Sequence, residues 1–124
     1  MRIEARLTHE PVTPLPISAD HTSGAVITFS GVVRDREKNK PISSLDYEAY
    51  PSMAIRLMEQ ILQELSSKYP CNSAEVIHRL GRVPVGETSL WIRVCAPHRT
   101  EAFGLLTGFI DRMKLDVPIW KIAS

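Results

Sequence analysis

The sequence predicts an α+β sandwich with an antiparallel sheet and two main helices. Segments that are rich in β-branched residues, or that alternate apolar and polar residues, predict strands at 24–33, 44–50, 76–80 and 89–96. Two other segments repeat apolar residues at the three- and four-residue spacing of a helix. After a short first strand, the elements follow in the order β, β, α, β, β, α, which is typical of an α+β domain. This order leaves the number of sheets open.

The sequence patterns predict different degrees of burial for the strands. The first strand, at 3–7, is followed by three prolines that predict an irregular surface segment. Residues 24–33 predict a central strand, in which Gly31 marks a bulge or a close backbone approach. Residues 44–50 predict a half-exposed strand, and we expect it to pair with 24–33. The last two strands, joined by a Val-Pro-Val-Gly-Glu connection, predict a hairpin with a longer loop.

The two predicted helices have clear boundaries in the sequence. The first starts at Pro51, which suits a first helical turn, and stops at the next proline. The second starts near residues 98–100 and runs out around Lys114. Its two glycines, Gly104 and Gly108, leave space for another element to pack closely.

Composition limits the class of protein. A chain of 124 residues with 44% hydrophobic content fits one globular domain. No window approaches the roughly 20 apolar residues of a membrane span, and the N-terminus lacks a signal-peptide core, so we expect a cytoplasmic protein. Cys71 and Cys95 have no metal-ligand spacing around them and read as reduced thiols, so no metal site is predicted. A net charge of +1 gives no general attraction to nucleic acid or membrane.

Cationic residues adjoin the predicted elements at three places, and they are the candidate site. Arg34 ends a strand, His98 and Arg99 begin the second helix, and Lys114 and Lys121 flank a Val-Pro-Ile-Trp segment at its exit. Free N–H groups at a helix N-terminus attract anions, so residues 96–99 form a candidate cradle for phosphate or carboxylate.

Each candidate also has an ordinary structural alternative. Arg99 fits a solvated first-turn position about as well as an anion site, and His98 fits a helix cap. Arg34 could pair with a nearby carboxylate, and a terminal lysine could simply be solvated. His78, inside a strand, is interpreted as structural.

Six blocks of the sequence, in order, resemble the large, catalytic subunit of molybdopterin synthase, the MoaE family. The blocks cover almost the whole chain, and the His-Arg and Pro-x-Trp-Lys blocks are the most distinctive. They read GAVITFSGVVR at 24–34, LDYEAYPSM at 45–53, HRLG at 78–81, VGE at 85–87, APHR followed by Ala102 and Phe103 at 96–103, and VPIWK at 117–121.

The resemblance implies an α/β-hammerhead-like fold and a sulfurtransferase that converts cyclic pyranopterin monophosphate to molybdopterin. It implies a small ubiquitin-like partner whose C-terminal Gly-Gly thiocarboxylate supplies sulfur, a homodimer within a heterotetramer, sites built from both large subunits, and no metal or other cofactor. Matched motif by motif, Lys114 and Lys121 are implied as catalytic, with Lys114 the first choice for moving protons. The implied substrate-binding residues are Val32, Val33, Arg34, His98, Arg99, Lys114 and Lys121.

The chain departs from the family pattern at its C-terminal end. The family usually continues past Trp-Lys with a second lysine, a glutamate and a further tail, whereas here Lys121 is followed by Ile122, Ala123 and Ser124. The expectation is therefore a single large-subunit domain over 1–124 with a short or missing C-terminal tail. The alternative is a non-catalytic homologue that binds a ubiquitin-like partner or a small anion.

Overall fold

The computed structural model describes residues 1–17 and 20–124, which form two helices and nine strands. Their order is β1 (Arg2–Thr8), β2 (Ala25–Val32), β3 (Arg36–Glu37), β4 (Lys40–Pro41), β5 (Ser44–Ala49), α1 (Pro51–Lys68), β6 (Ser73–Arg79), β7 (Gly81–Pro84), β8 (Thr88–Ala96), α2 (Arg99–Asp116) and β9 (Ile119–Ala123). In this part of the chain the strands form three sheets, with orders β1-β6-β8-β2, β3-β4 and β7-β5-β9. The predicted α+β class is confirmed.

The four-stranded sheet is mixed rather than wholly antiparallel. β1 runs parallel to β6, whereas β6 with β8 and β8 with β2 are antiparallel. A side-chain pattern cannot show strand direction, because direction depends on the path of the chain between strands. The helices cover one face, where Val76, Ile92 and Val94 join residues of α1 and α2 in the main core.

The opposite face of this sheet is covered by the proline-rich segment. Arg93 donates hydrogen bonds to the carbonyl oxygens of Leu15 and Pro16, at 2.6 and 2.9 Å. It also forms an ion pair with Glu75 at 2.8 Å, and both side chains are buried. Two charges can be buried together when each has several hydrogen-bond partners, and here the partners include the covering segment itself. The ion pair therefore holds the segment on the sheet.

The two helices pack closely at the glycines of α2. A methyl group added at Gly104 would overlap two ring carbons of Tyr69, the residue that follows α1. A methyl group added at Gly108 would lie 3.2 Å from Cδ2 of Leu65. The space that the sequence predicts beside these glycines is therefore occupied by the C-terminal end of α1.

The expected pairing between the strands at 24–33 and 44–50 is wrong. β2 pairs with β8, whereas β5 lies between β7 and β9 in a different sheet. The two strands belong to different cores: Phe29 of β2 packs against the main core, and Leu45 of β5 packs with Val33 and Val83 in a second, smaller core. The hairpin β3–β4 lies between them in the chain and separates the two sheets.

The predicted hairpin between the last two strands is confirmed, with one addition. β6 and β8 pair in antiparallel register, but their connection forms β7, which pairs with β5. The chain turns at Gly81 and Gly86, whose φ angles of 82° and 89° lie in the left-handed region that favours glycine. The bulge predicted at Gly31 is also confirmed, by a register shift between Gly31 and Val32.

The segment after α2 forms a strand that the sequence pattern did not predict. α2 ends at Asp116, two residues beyond the expected end, and Pro118 prevents the helix from continuing. β9 then pairs antiparallel with β5, and this register places Lys121 opposite Tyr47 and Trp120 opposite Glu48. The C-terminal segment is therefore part of a sheet.

Gly104→Ala is expected to lower the free energy of unfolding by about 1–2 kcal/mol, because the clash with the Tyr69 ring outweighs the better helix propensity of alanine. Gly108→Ala is the matched control: its methyl group meets only the movable end of Leu65, so we expect a change below about 1 kcal/mol. Urea unfolding of the two variants measures both values. A Gly104→Ala protein as stable as the wild type would contradict this account of the helix contact.

Candidate active site

A cavity of about 480 Å³ lies where the two larger sheets meet the C-terminal end of α2. Its wall is made by β2, β5, β6, β8, α2 and β9. Among the described residues, no acidic side chain lines it. The polar lining side chains are Tyr47, His78, Ser89, Lys114 and Lys121, and the larger apolar ones are Phe29, Val32, Leu90, Ile110, Met113, Ile119 and Trp120.

Another cavity, of about 410 Å³, lies on the far face of the main sheet. Its charged lining residues are Arg2, Asp20, Glu75 and Arg93. Arg2 and Arg93 pair with Glu75, and Asp20 accepts hydrogen bonds from Thr22 and Ser23. We therefore take the cavity beside α2 as the candidate active site.

Two lysines reach the cavity from different elements. Lys114 lies in the last turn of α2, where a cation interacts favourably with the carbonyl groups that have no helical partner. Lys121 lies on β9, and the pairing of β9 with β5 fixes its position. Six residues lie between the two lysines in the chain, yet both line the same cavity. The arrangement suits an anionic ligand.

Lys121 has a partner in the hairpin β3–β4. Its Nζ lies 3.1 Å from Oε2 of Glu37, and the side chains are 49% and 22% exposed. An ion pair this accessible to water contributes little stability and can be exchanged for another anion. Glu37 was not a candidate in the sequence, because only the tertiary structure places the hairpin beside β9.

The aromatic ring of Trp120 forms part of the cavity wall. It is 40% exposed and lies 5.3 Å, centroid to centroid, from the ring of Tyr50. Val32, one of the predicted substrate-binding residues, lies across the cavity and is half exposed at the bulge of β2. These side chains offer apolar surface to a flat ligand beside the two ammonium groups.

His78 also lines the cavity, although the sequence suggested only a structural role. Its ring is 4% exposed, and Nδ1 lies 2.8 Å from the carbonyl oxygen of Arg79. The ring of Tyr47 packs edge-on against it at 4.9 Å. Burial lowers the pKa of His78, and the hydrogen bond to the Arg79 carbonyl raises it only partly back. No signal in the strand pattern distinguishes this histidine from a core residue.

The remaining candidates do not reach this cavity within one chain. Val33 is buried in the smaller core, and its N–H donates to the carbonyl of Glu87 at 3.0 Å. Arg34 is exposed in the loop after β2. His98 and Arg99 are exposed at the N-terminal end of α2. The 15 residues from Arg99 to Lys114 span roughly 22 Å along a helix, so His98 and Arg99 lie far from the lysines of their own chain.

Burial raises the pKa of the Cys71 thiol to about 11, and the nearby Glu101 carboxylate adds to the shift, so this thiol is protonated and unreactive. In residues 1–17 and 20–124, no group of three or more His, Cys, Asp or Glu side chains is placed to hold a metal ion. Neither helix of that part is long and apolar enough to cross a membrane.

The fold and the cavity together define a small α+β protein with a pocket that is lined by two lysines and suits an anionic ligand. The sequence profile described as MoaE protein matches residues 7–116. The chain therefore belongs to the MoaE family, and the resemblance in the sequence is confirmed.

Individual relatives agree with this assignment. The chain is 42% identical over 106 residues to the molybdopterin synthase catalytic subunit of Nostoc sp., covering 85% of this chain and 64% of that protein. The crystal structure of molybdopterin synthase from Staphylococcus aureus superposes with a TM-score of 0.88 at 32% identity, covering 95% of this chain and 88% of that one. A complex of subunits 1 and 2 of the molybdopterin-converting factor from Helicobacter pylori matches with a TM-score of 0.69 at 27% identity, covering 82% of this chain and 66% of that one.

Glu37→Gln is expected to tighten the binding of inorganic sulfate about two- to five-fold. An ion pair that water can reach contributes about 0.2–1 kcal/mol. In the variant, an incoming anion no longer has to displace Glu37 from Lys121. Titration calorimetry at low ionic strength measures the affinity. Glu59→Gln, on the exposed face of α1 and outside the cavity lining, is the control for the loss of one negative charge. Equal tightening in both variants would show that net charge, and not the pair with Lys121, is responsible.

Proposed function

We propose that this protein acts as the large subunit of molybdopterin synthase and converts cyclic pyranopterin monophosphate to molybdopterin by sulfur transfer from a thiocarboxylated small subunit. One observation carries the proposal: in a chain of the MoaE family, Lys114 and Lys121 line one cavity of about 480 Å³. The chain spans 64% of the length of the Nostoc relative, so the activity, substrate and partner all belong to this proposal.

The charges in the cavity fit this reaction. A pterin phosphate and a thiocarboxylate are both negative and repel each other, so their approach requires cations in a site with little water. Lys114 and Lys121 provide two ammonium groups, and no carboxylate is among the described lining residues; Glu37, outside the lining, pairs with Lys121 and must give way to the ligand. We assign Lys114 as the main group that moves protons as the sulfur attacks, and Lys121 as its partner. Val32 and Trp120 provide the apolar surface on which a planar pterin can lie.

The proposed partner is a small ubiquitin-like subunit with a C-terminal Gly-Gly thiocarboxylate. The Helicobacter pylori relative is a complex of two different subunits of the molybdopterin-converting factor, which supports a two-subunit assembly here. A glycine-ended tail can enter a narrow cavity that longer side chains would block, and its terminal anion would be attracted to the lysines. The cytoplasmic location, the single-domain organisation and the short C-terminal tail stay predictions.

The proposed assembly is a homodimer of large subunits, each with a small subunit. Within one chain, His98 and Arg99 lie roughly 22 Å along α2 from Lys114. A second copy can bring its own His98 and Arg99, together with Arg34, to the lysine cavity. The proposed phosphate-binding residues then come from two chains, in keeping with the symmetric contacts of a two-fold dimer.

Lys114→Ala is expected to lower molybdopterin formation by about 10²–10⁴-fold, the range of a lost proton-transfer group, and Lys121→Ala is expected to lower it less. Both side chains are exposed, so the fold should persist. The assay supplies cyclic pyranopterin monophosphate and thiocarboxylated small subunit and detects product by mass spectrometry. Lys68→Ala, the exposed lysine in the last turn of α1, is the control and should keep full activity.

A wild-type protein that binds the small subunit but forms no product would favour the non-catalytic alternative. Wild-type rates in both lysine variants would instead remove Lys114 and Lys121 from the mechanism.

Mixing an Arg99→Ala chain with a Lys114→Ala chain is expected to restore activity that neither has alone. If each site takes its lysines from one chain and Arg99 from the other, a mixed dimer contains one intact site. Random exchange makes half of the dimers mixed, so the recovered activity should be about a quarter of the wild-type value. Light scattering checks that the variants remain dimers. Absence of recovery from variants shown to exchange chains would place Arg99 outside the shared site.

A further inference from the structure

His78 is a buried titratable group that the proposed mechanism leaves without a role. Its Nδ1 lies 2.8 Å from the Arg79 carbonyl oxygen. A carbonyl oxygen can only accept a hydrogen bond, so Nδ1 carries the proton. In the neutral ring, Nε2 then holds a lone pair and can only accept. The backbone of the neighbouring residue thus selects one tautomer of the imidazole.

The Nε2 atom of His78 has no hydrogen-bond partner among the described residues and is not fully buried. Among residues 1–17 and 20–124, the hydrogen bond through Nδ1 is the only one that the ring makes. In that part of the chain, two fully buried side-chain atoms lack a hydrogen-bond partner: Arg79 Nε and Glu101 Oε2. Nε2 of His78 also lacks a partner but is not one of these atoms, so it is not sealed inside the core. The open space that His78 lines is the lysine cavity.

The neutral state of the ring also fits its surroundings. His78 is 4% exposed, and burial lowers its pKa. Among the described lining residues, the charged groups that share the cavity are Lys114 from α2 and Lys121 from β9, so no carboxylate lines it that would favour a positive charge on the ring. Tyr47 from β5 holds the ring by an edge-on contact at 4.9 Å.

The other polar groups of the cavity give this acceptor a distinct role. The ammonium groups of Lys114 and Lys121 can only donate hydrogen bonds. The hydroxyl of Ser89 donates to the Gly31 carbonyl oxygen at 3.3 Å. No carboxylate among the described lining residues is available to accept. The hydroxyl oxygens of Ser89 and Tyr47 can also accept, but each hydroxyl can donate as well, whereas the Nδ1–H tautomer leaves Nε2 of His78 as an acceptor only. A ligand that carries N–H or O–H donors beside its anionic group therefore finds at Nε2 of His78 a group that can only accept.

We propose that Nε2 of His78 accepts a hydrogen bond from an N–H or O–H group of the bound ligand and so orients the ligand whose anionic part pairs with Lys114 and Lys121. This inference rests on the proposed function, in which the donor belongs to the pterin ring system. The lysines attract any small anion, whereas His78 distinguishes a heterocyclic phosphate from inorganic phosphate.

Two amide variants separate this role from a purely structural one. In His78→Asn, the side-chain amide can replace the Nδ1–H bond to Arg79, but nothing reaches the position of Nε2. In His78→Gln, the longer amide can place its oxygen near the position of Nε2, but the bond to Arg79 is lost. If Nε2 accepts a hydrogen bond from the ligand, His78→Asn should weaken ligand binding more than His78→Gln. If His78 is only structural, His78→Gln should weaken ligand binding more.

Titration calorimetry measures the binding of cyclic pyranopterin monophosphate. We expect about ten-fold weaker binding for His78→Asn, because this variant loses the hydrogen bond between Nε2 and the ligand. We expect a change within about three-fold for His78→Gln, because this variant keeps an acceptor near that position. Inorganic phosphate should bind both variants within about two-fold of the wild type. The opposite order of the two variants, or equal affinities in all three proteins, would overturn the proposal. So would a wild-type protein that does not bind the pterin phosphate.

A measurement on the wild-type protein covers the case in which a variant does not fold. Ring ¹⁵N resonances should show the Nδ1–H tautomer of His78, and the Nε2 signal should move when the pterin phosphate is added but not when inorganic phosphate is added. An unmoved Nε2 signal in the bound state would overturn the inference. A wild-type protein that gives these binding results but makes no molybdopterin would refute the proposed function alone.

Discussion

The pairing of β9 with β5 is the interaction on which the candidate site depends. It turns the end of the chain into a sheet strand and places Lys121 opposite Tyr47. Backbone bonds secure both ends: the N–H of Tyr50 donates to the Pro118 carbonyl at 3.2 Å, and the N–H of Ser43 donates to the Ser124 carbonyl at 2.7 Å. Without this ladder, Lys121 would be a solvated residue after a helix. With it, the lysine shares a cavity with Lys114.

The cavity combines two kinds of cation environment. Lys114 is placed by a rigid helix whose terminal carbonyls favour a cation, whereas Lys121 is held by the partly exposed carboxylate of Glu37. The hairpin that carries Glu37 is tight, with positive φ angles at Lys38 and Asn39. Lys121 is therefore kept near the cavity by a contact that an incoming anion can replace. The buried neutral His78 adds an acceptor to a site otherwise dominated by donors.

The rigidity of α2 explains why one chain holds only part of the proposed site. The helix has 18 residues and is therefore about 27 Å long, and its close packing against Tyr69 and Leu65 fixes it to α1. Its two ends carry different candidate groups, His98 and Arg99 at the beginning and Lys114 near the end. A rigid rod cannot bring both ends to one ligand, so a site that uses both requires two copies of the chain.

The sequence by itself determined the α+β class, both helices, the bulge at Gly31 and the family, because these depend on local periodicity, on turn-forming residues and on motifs that can be read along the chain. It also pointed to Lys114 and Lys121 as candidates, since they flank a Val-Pro-Ile-Trp segment; the structure places both on one cavity, and their roles stay predictions. The tertiary structure alone decided the strand partners, the parallel direction of β1, the strand β9, the Glu37 contact and the position of His78 on the cavity wall. The physical reason is the same in each case: strand pairing and ion pairing join residues far apart in sequence, and the pattern of a single strand records which face is buried but not what covers it.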